Sequence, residues 1–330
     1  MAAIFPFSEW VCLAIETMVE YTMMTRFMTF VDGSNLFGAL RDIGVQINNY
    51  DLLYRCIFRK ALEVWRRRVD CAGAATVPAI HSRVCWYVTS DMDQWELSSD
   101  NTRRMLRERF ENDQEIRSHW VDEAVKRRRI QELNSRNTVS QDESSSPSEP
   151  SEMNDLDRTI YAAIHDLCSG TRTWSTLSWQ ERHAIEAEAW DLCFADLRSW
   201  YEGKQQTLAG MNRFYYAVSS RNDFLELHRC GRWKVDFLHK SVAEKGLDTS
   251  LAVDMVGLVD SYDVALLITG DADGIPSVSH IKNKGRHVGV IEFLPGAPQD
   301  SQPRSAASRL KAVADFVVSV YEQELRELKD

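Results

Sequence analysis

Four aspartates stand where their carboxylates could hold a cation. Asp32 closes the apolar run "MTFV" and is followed by Gly33, Ser34 and Asn35. Asp271 and Asp273 follow "VALLITG" as a D-x-D pair, and Asp248 lies in "EKGLD". Carboxylates gathered within a few ångströms repel one another and need a counter-cation. An all-oxygen ligand set of this kind suits Mg²⁺ or Mn²⁺. Gly246 permits a tight approach of the chain, and Asp248 serves equally well as a helix N-cap. Asp254, roughly 240° around a helix from Asp248, is a less favourably placed candidate.

For these acids to meet, the elements that carry them must be neighbours. Residues 28–32 predict a strand buried on both faces, followed by a helix capped by Ser34 and closed by Gly44. A helix over 50–68 and a strand over 83–90 come next, then a long helix over about 99–133. Ser178 and Glu181 form a capping-box pattern within a helical stretch, 157–202. Residues 211–231 fit either a strand plus helix or one helix, the end of the segment favouring a helix stopped by Gly231. Beyond it the alternation sharpens: strand 233–239, helix 248–262, strand 263–270, helix 274–285 with Pro276 in its first turn, strand 286–293, and a closing helix over 306–328. Strands alternating with helices imply a parallel sheet covered on both faces. Sites in such sheets form beyond the C-terminal strand ends, where strand order reverses. If the strand ending in Asp32 adjoins the one before Asp271, the acids share one rim.

The bulk composition sets limits. The chain has 330 residues, 44% hydrophobic and 27% charged, as expected for a globular protein with a sizeable core. A net charge of −10 argues against a non-specific nucleic-acid sponge, although local basic runs exist, as at Arg66–Arg68 and Lys126–Arg129. Seven cysteines without a C-x-x-C pair argue against zinc and against a disulfide framework, and a reducing cytoplasm fits best. Residues 4–19 are too short and too acidic for a membrane span. Residues 1–27 are either an added amphipathic helix or sequence upstream of a start at Met28. The Ser/Pro/Glu-rich segment 134–156 is expected to be a disordered acidic loop. It lies in a helical insertion, about 91–210, whose Trp174, Trp179, Trp190 and Trp200 suggest a small core of its own.

The blocks "FVDGSNLFGAL", "KGLDTSLAVDMV" and "LLITGDADGIPSVSHIKNKGRHVGVIEF" resemble the signature blocks of the NYN domain family, which belongs to the PIN-like metal-dependent ribonucleases. The resemblance covers roughly 28–90 and 231–295. It implies an α/β, PIN-like central parallel sheet of order 3-2-1-4-5 flanked by helices. The nuclease domain is expected over 28–90 and 211–330, interrupted by the insertion. It also implies Mg²⁺- or Mn²⁺-dependent endonuclease chemistry on RNA. By block matching, Asp32, Asp248, Asp271 and Asp273 take the family's catalytic, metal-binding acidic positions. Asn35 matches the asparagine that positions the first aspartate or the substrate, with Ser34 beside it. The family often has Ser between the last two aspartates and a bulky aromatic after them; here Ala272 and Gly274 stand in those places.

The chemistry implied is hydrolysis of a phosphodiester by water, with the metal polarising a phosphoryl oxygen. Lys245 is the nearest cation for a phosphate contact. Lys282, Lys284 and Arg286 sit at the far end of their helix, and His280 and His287 flank the last helix–strand loop. The alternative is a catalytically degenerate RNA-binding or scaffold protein, with the aromatic insertion meeting a protein partner or a second copy of the chain. A haloacid-dehalogenase-like phosphatase wants its D-x-D at the first strand, where this chain has D-G-S-N. An integrin-type site wants a serine where Leu36 stands.

Overall fold

The computed structural model describes residues 24–69, 78–139, 162–167, 169–170, 172–298 and 309–328. The expected extension therefore lies outside the described residues up to position 23, while 25–27 already belong to the first strand. Most of the acidic segment, 140–156, lies outside them as well.

The first compact unit takes its described residues from 1–92, 208–234 and 244–330. Its first half runs β1 (Thr25–Asp32), α1 (Gly33–Asp42), α2 (Tyr50–Val69) and β2 (Ala79–Met92), and β3 (Leu225–Asp236) follows the insertion. Next come β4 (Ser241–Lys245), α6 (Leu247–Gly257), β5 (Val264–Ile268), α7 (Ile275–Asn283) and β6 (His287–Leu294). A short α8 (Arg309–Val313), β7 (Phe316–Tyr321) and α9 (Glu322–Arg326) close the chain. β1 pairs in parallel with β2 on one side and β5 on the other, and β2–β3, β5–β6 and β6–β7 are parallel too.

Side-chain alternation along β1 explains why the sheet is covered on both faces. Phe27 and Val31 enter one core with residues of α1 and α2, including Leu36, Leu40, Leu53 and Ile57. Met28 and Phe30 enter the other with Leu247, Leu251 and Met255 of α6 and Val278 and Ile281 of α7. A strand buried on both sides reads as a largely apolar run, as β1 does from Phe27 to Val31 and β5 does throughout.

Among the described residues the sheet has seven strands in the order β4-β3-β2-β1-β5-β6-β7, so the whole sheet differs from the expected five; the five expected strands keep the order 3-2-1-4-5 at its centre, and one strand is added at each edge. The two strands the sequence reading lacked are short. β4 alternates exposed and half-buried residues and buries none fully. β7, "FVVSVY", lies where a closing helix is expected. Its burial alternates, with Phe316, Val318 and Val320 inward, so β-branched packing on the sheet prevails over helical spacing.

Two further expectations fail. The helix ending at Gly231 is instead strand β3. A Cβ at Gly231 would lie 2.5 Å from Thr89 Oγ1, and the β2–β3 register shifts on both sides of Thr89. The glycine serves a close approach of strands, not a helix stop. The helix expected over about 99–133 is two, α3 (Asp100–Asn112) and α4 (Gln114–Val139). They break at Asp113, whose backbone is extended and whose side chain accepts the N–H of Ile116. The second helix runs through 134–139, which the expected loop included.

The second unit comprises 93–207 with 235–243 and holds α3, α4 and the greater part of α5 (Trp179–Ser219). Its core packs Phe110 against Trp190 and Trp190 against Phe194 as tilted pairs, each 5.4 Å between ring centres. Arg128 Nε donates to both carboxylate oxygens of Glu188. The capping box at the start of α5 forms as expected: Glu181 N–H donates to Ser178 Oγ, and Ser178 N–H to Glu181 Oε2.

Candidate functional site

Asp32 is the last residue of β1, and its side chain is 2% exposed. It, rather than Ser34, is the N-cap of α1: Oδ1 accepts the N–H of Asn35 at 2.9 Å, and Oδ2 accepts the Asn35 side-chain amide. Gly33 is required at this corner, because a Cβ there would lie 2.8 Å from the carbonyl oxygen of Tyr87. Burial pushes the Asp32 carboxyl upward and the negative charge of Glu244 adds to it, against the hydrogen bonds from Asn35.

The loop after β5 is tied to the same point. Asn35 Oδ1 accepts the N–H of Gly270 at 3.2 Å. Thr269 Oγ1 lies 3.5 Å from Asp32 Oδ2 and accepts the N–H of Asp271. Asp271 Oδ1 in turn accepts the N–H of Asp273 at 3.0 Å, capping a short 3₁₀ turn that leads into α7. The D-x-D pair is thus a capped turn held against the end of β1.

Asp248 comes to this rim from the first turn of α6. It is not the N-cap: that position is Gly246, whose φ of 90° lies in the left-handed region that favours glycine. The Asp248 carboxyl is raised, first by partial desolvation and then by the charges of Asp32, Asp271, Glu244 and Asp273. Asp248 therefore lies in the field of the other three predicted acids and of a fifth that carries no motif in the sequence. Glu244, in β4, accepts a hydrogen bond from Ser34 Oγ at 2.6 Å and another from Thr89 Oγ1. No motif marked it, because a strand of five half-exposed residues carries little signal.

The opposite end of the sheet handles charge differently. Burial would raise Asp263, but the Arg26 side chain and backbone N–H, with Arg286, hold it below the usual carboxylate range. Lys282 pairs with Asp315. Among the described residues, no lysine or arginine forms an ion pair with Asp32, Glu244, Asp248, Asp271 or Asp273. These carboxylates thus have no cationic side-chain partner, but among the described residues they do not form a group of three ligand atoms within 4.8 Å of one another.

The remaining candidates lie around this rim. Lys245 is exposed, immediately after Glu244. Ser34 and Asn35 line a cavity of about 520 Å³ with Thr269, Gly270, Phe293 and Lys311. Asp254 is engaged elsewhere, accepting from Tyr87 Oη at 2.9 Å and lying 3.1 Å from His228 Nδ1. Beside it, Cys85, Glu226 and His228 bring three potential ligand atoms within 4.8 Å of one another.

Residues 190–321 match the family model of the NYN domain. Over this stretch the chain is similar to NYN domains. NYN domains are PIN-like nucleases, so the resemblance read in the sequence is borne out over this stretch. The stretch includes Glu244, Asp248, Asp271 and Asp273; Asp32 and Asn35 lie before it. No curated protein and no solved structure matches the chain. No helix among the described residues is long and apolar enough to cross a membrane.

Proposed function

We propose that the chain is a Mg²⁺- or Mn²⁺-dependent endoribonuclease that hydrolyses RNA phosphodiesters at the rim formed by Asp32, Asp248, Asp271 and Asp273. The observation that carries this reading is the raised Asp248 carboxyl, which senses three predicted partners and Glu244 at once. The NYN match supports nuclease chemistry in general.

A divalent cation bound here would polarise a phosphoryl oxygen and lower the pKa of attacking water. Asp32 is the fixed ligand, buried and held by both hydrogen-bonding groups of Asn35. Asp271 and Asp273, held by their turn, complete the charge at the end of β5. Asp248 is exposed and has raised proton affinity, so it is suited to accept the proton of incoming water. Glu244 adds charge to the set and stays oriented by two hydroxyls. The cavity beside Asn35 has the size of a nucleotide subsite, with Phe293 offering an aromatic face for a base. Lys245 would meet a phosphate from the β4 side. The described 93–207 unit would meet a protein partner or a second copy of the chain, and the protein would act in the cytoplasm.

The test is cleavage of single-stranded, hairpin and transfer RNAs by the full chain with Mn²⁺. The reading expects products with 5′-phosphates, abolished by EDTA and reduced by about two to three decades in Asp271→Asn, since the cation contributes several kcal/mol to the barrier. Equal cleavage by Asp271→Asn would overturn it.

A further inference from the structure

Cys85, Glu226 and His228 belong to no part of the nuclease reading, yet strand pairing brings them together. Cys85 is opposite Glu226 and Tyr87 is opposite His228 in the parallel β2–β3 ladder. Glu226 and His228, two apart on one strand, face the same side of the sheet as Cys85. The Cys85 sulfur, a Glu226 oxygen and a His228 ring nitrogen lie within 4.8 Å of one another.

The polar groups around them are committed in a way that leaves one gap. Arg83 Nη1 lies 2.9 Å from Glu226 Oε2. The other oxygen, Oε1, faces His228 Nε2 at 3.6 Å. That nitrogen is buried and has no hydrogen-bond partner. Nδ1 of the same ring lies 3.1 Å from Asp254 Oδ2, which is itself held by the Tyr87 hydroxyl. A proton on Nδ1, the nitrogen that faces Asp254, would leave the Nε2 lone pair on the side of Glu226. Burial pushes the Cys85 thiol up to about 12, so it carries its proton in the metal-free chain; a soft cation that displaces that proton would bring sulfur, imidazole nitrogen and carboxylate oxygen onto one centre. A carboxylate on the far nitrogen is the arrangement that fixes metal-binding imidazoles.

We propose that Cys85, Glu226 and His228 form a second metal site, of the thiolate–imidazole–carboxylate class that takes Zn²⁺, with Asp254 as the residue that orients His228. Ligands on one tetrahedral zinc sit about 3.3–3.8 Å apart, given bond lengths near 2.0–2.3 Å, so side-chain movements of about an ångström close the set. Three protein ligands leave a fourth position for water or another ligand. The donors differ from those of the carboxylate rim: sulfur and imidazole favour Zn²⁺ and Co²⁺, while oxygen alone favours Mg²⁺ and Mn²⁺. Binding would pin β2 to β3 beneath α6.

The experiment titrates the metal-free full chain with Co²⁺ and follows its absorption. One equivalent should produce a thiolate-to-cobalt charge-transfer band that Zn²⁺ then displaces. Cys85→Ser should abolish the band and His228→Gln should abolish or greatly weaken it. Asp254→Asn should keep the band but weaken affinity by about 10- to 100-fold, and Asp271→Asn should leave it unchanged. X-ray absorption of the zinc-loaded wild-type chain supplies a check that needs no variant, with one sulfur and two or more nitrogen or oxygen neighbours expected. A band that survives Cys85→Ser, the absence of any thiolate band, or a zinc shell without sulfur would overturn the proposal.

Discussion

Asn35 Oδ1 accepts the backbone N–H of Gly270 across 3.2 Å, joining residues 235 positions apart in the chain. The same side chain donates to Asp32. One amide therefore sets the end of β1 against the loop that carries Asp271 and Asp273.

Asn35→Ala should leave the fold intact and spoil that alignment. Loss of a group that orients a metal-binding carboxylate commonly weakens affinity by about 10- to 100-fold. A fall of that size in Mn²⁺ affinity, measured by calorimetry on a variant with unchanged circular dichroism, is expected. Unaltered affinity would mean that Asn35 orients nothing at this site.

Asp248→Asn should separate stability from activity. Both Asp32 and Asp248 have carboxyls raised in the folded chain, so the metal-free fold binds protons more tightly there than the unfolded chain does. That contribution is present at low pH and is lost as pH rises through the folded values. The metal-free variant should therefore melt higher than wild type at neutral pH, and the difference should vanish on acidification. RNA cleavage should fall at the same time. A variant that melts lower than wild type at neutral pH would contradict the repulsion argued for the rim.

Gly33→Ala should damage the corner after β1. Its Cβ would meet the Tyr87 carbonyl at 2.8 Å and the Trp86 indole nitrogen at 3.0 Å, and the backbone oxygen cannot rotate away. Overpacking of this kind costs about 1–3 kcal/mol. Chemical denaturation should show a loss in that range, together with weakened Mn²⁺ binding. A neutral substitution would show that the corner has room.

Much of the site is legible in the sequence because parallel strands buried on both faces are written as apolar runs. The carboxylates that end "MTFV" and follow "VALLITG" then stand out. The elements that escaped are those whose signal is weak or shared. "SVAEK" is too short and too polar to announce a strand, so Glu244 went unnoticed with it. "LELHRCGRWKVD" mixes charged residues with a glycine that resembles a helix stop, whereas the glycine meets Thr89 on the neighbouring strand. "FVVSVY" follows a helical stretch closely enough to be absorbed into it, and its place beside β6 appears only once the sheet is assembled. The Asp32 cap was missed because Ser34 is equally good by residue type; the geometry of the turn chooses between them.

The central claim is that acids distant in sequence share a divalent ion, and a calorimetric titration of the full chain with Mn²⁺ at neutral pH tests it most directly, with Asp271→Asn alongside. Saturable binding by the wild-type chain, lost or greatly weakened in the variant, is the predicted result. Heats that never saturate in the wild-type chain, or binding of equal strength in the variant, would contradict it.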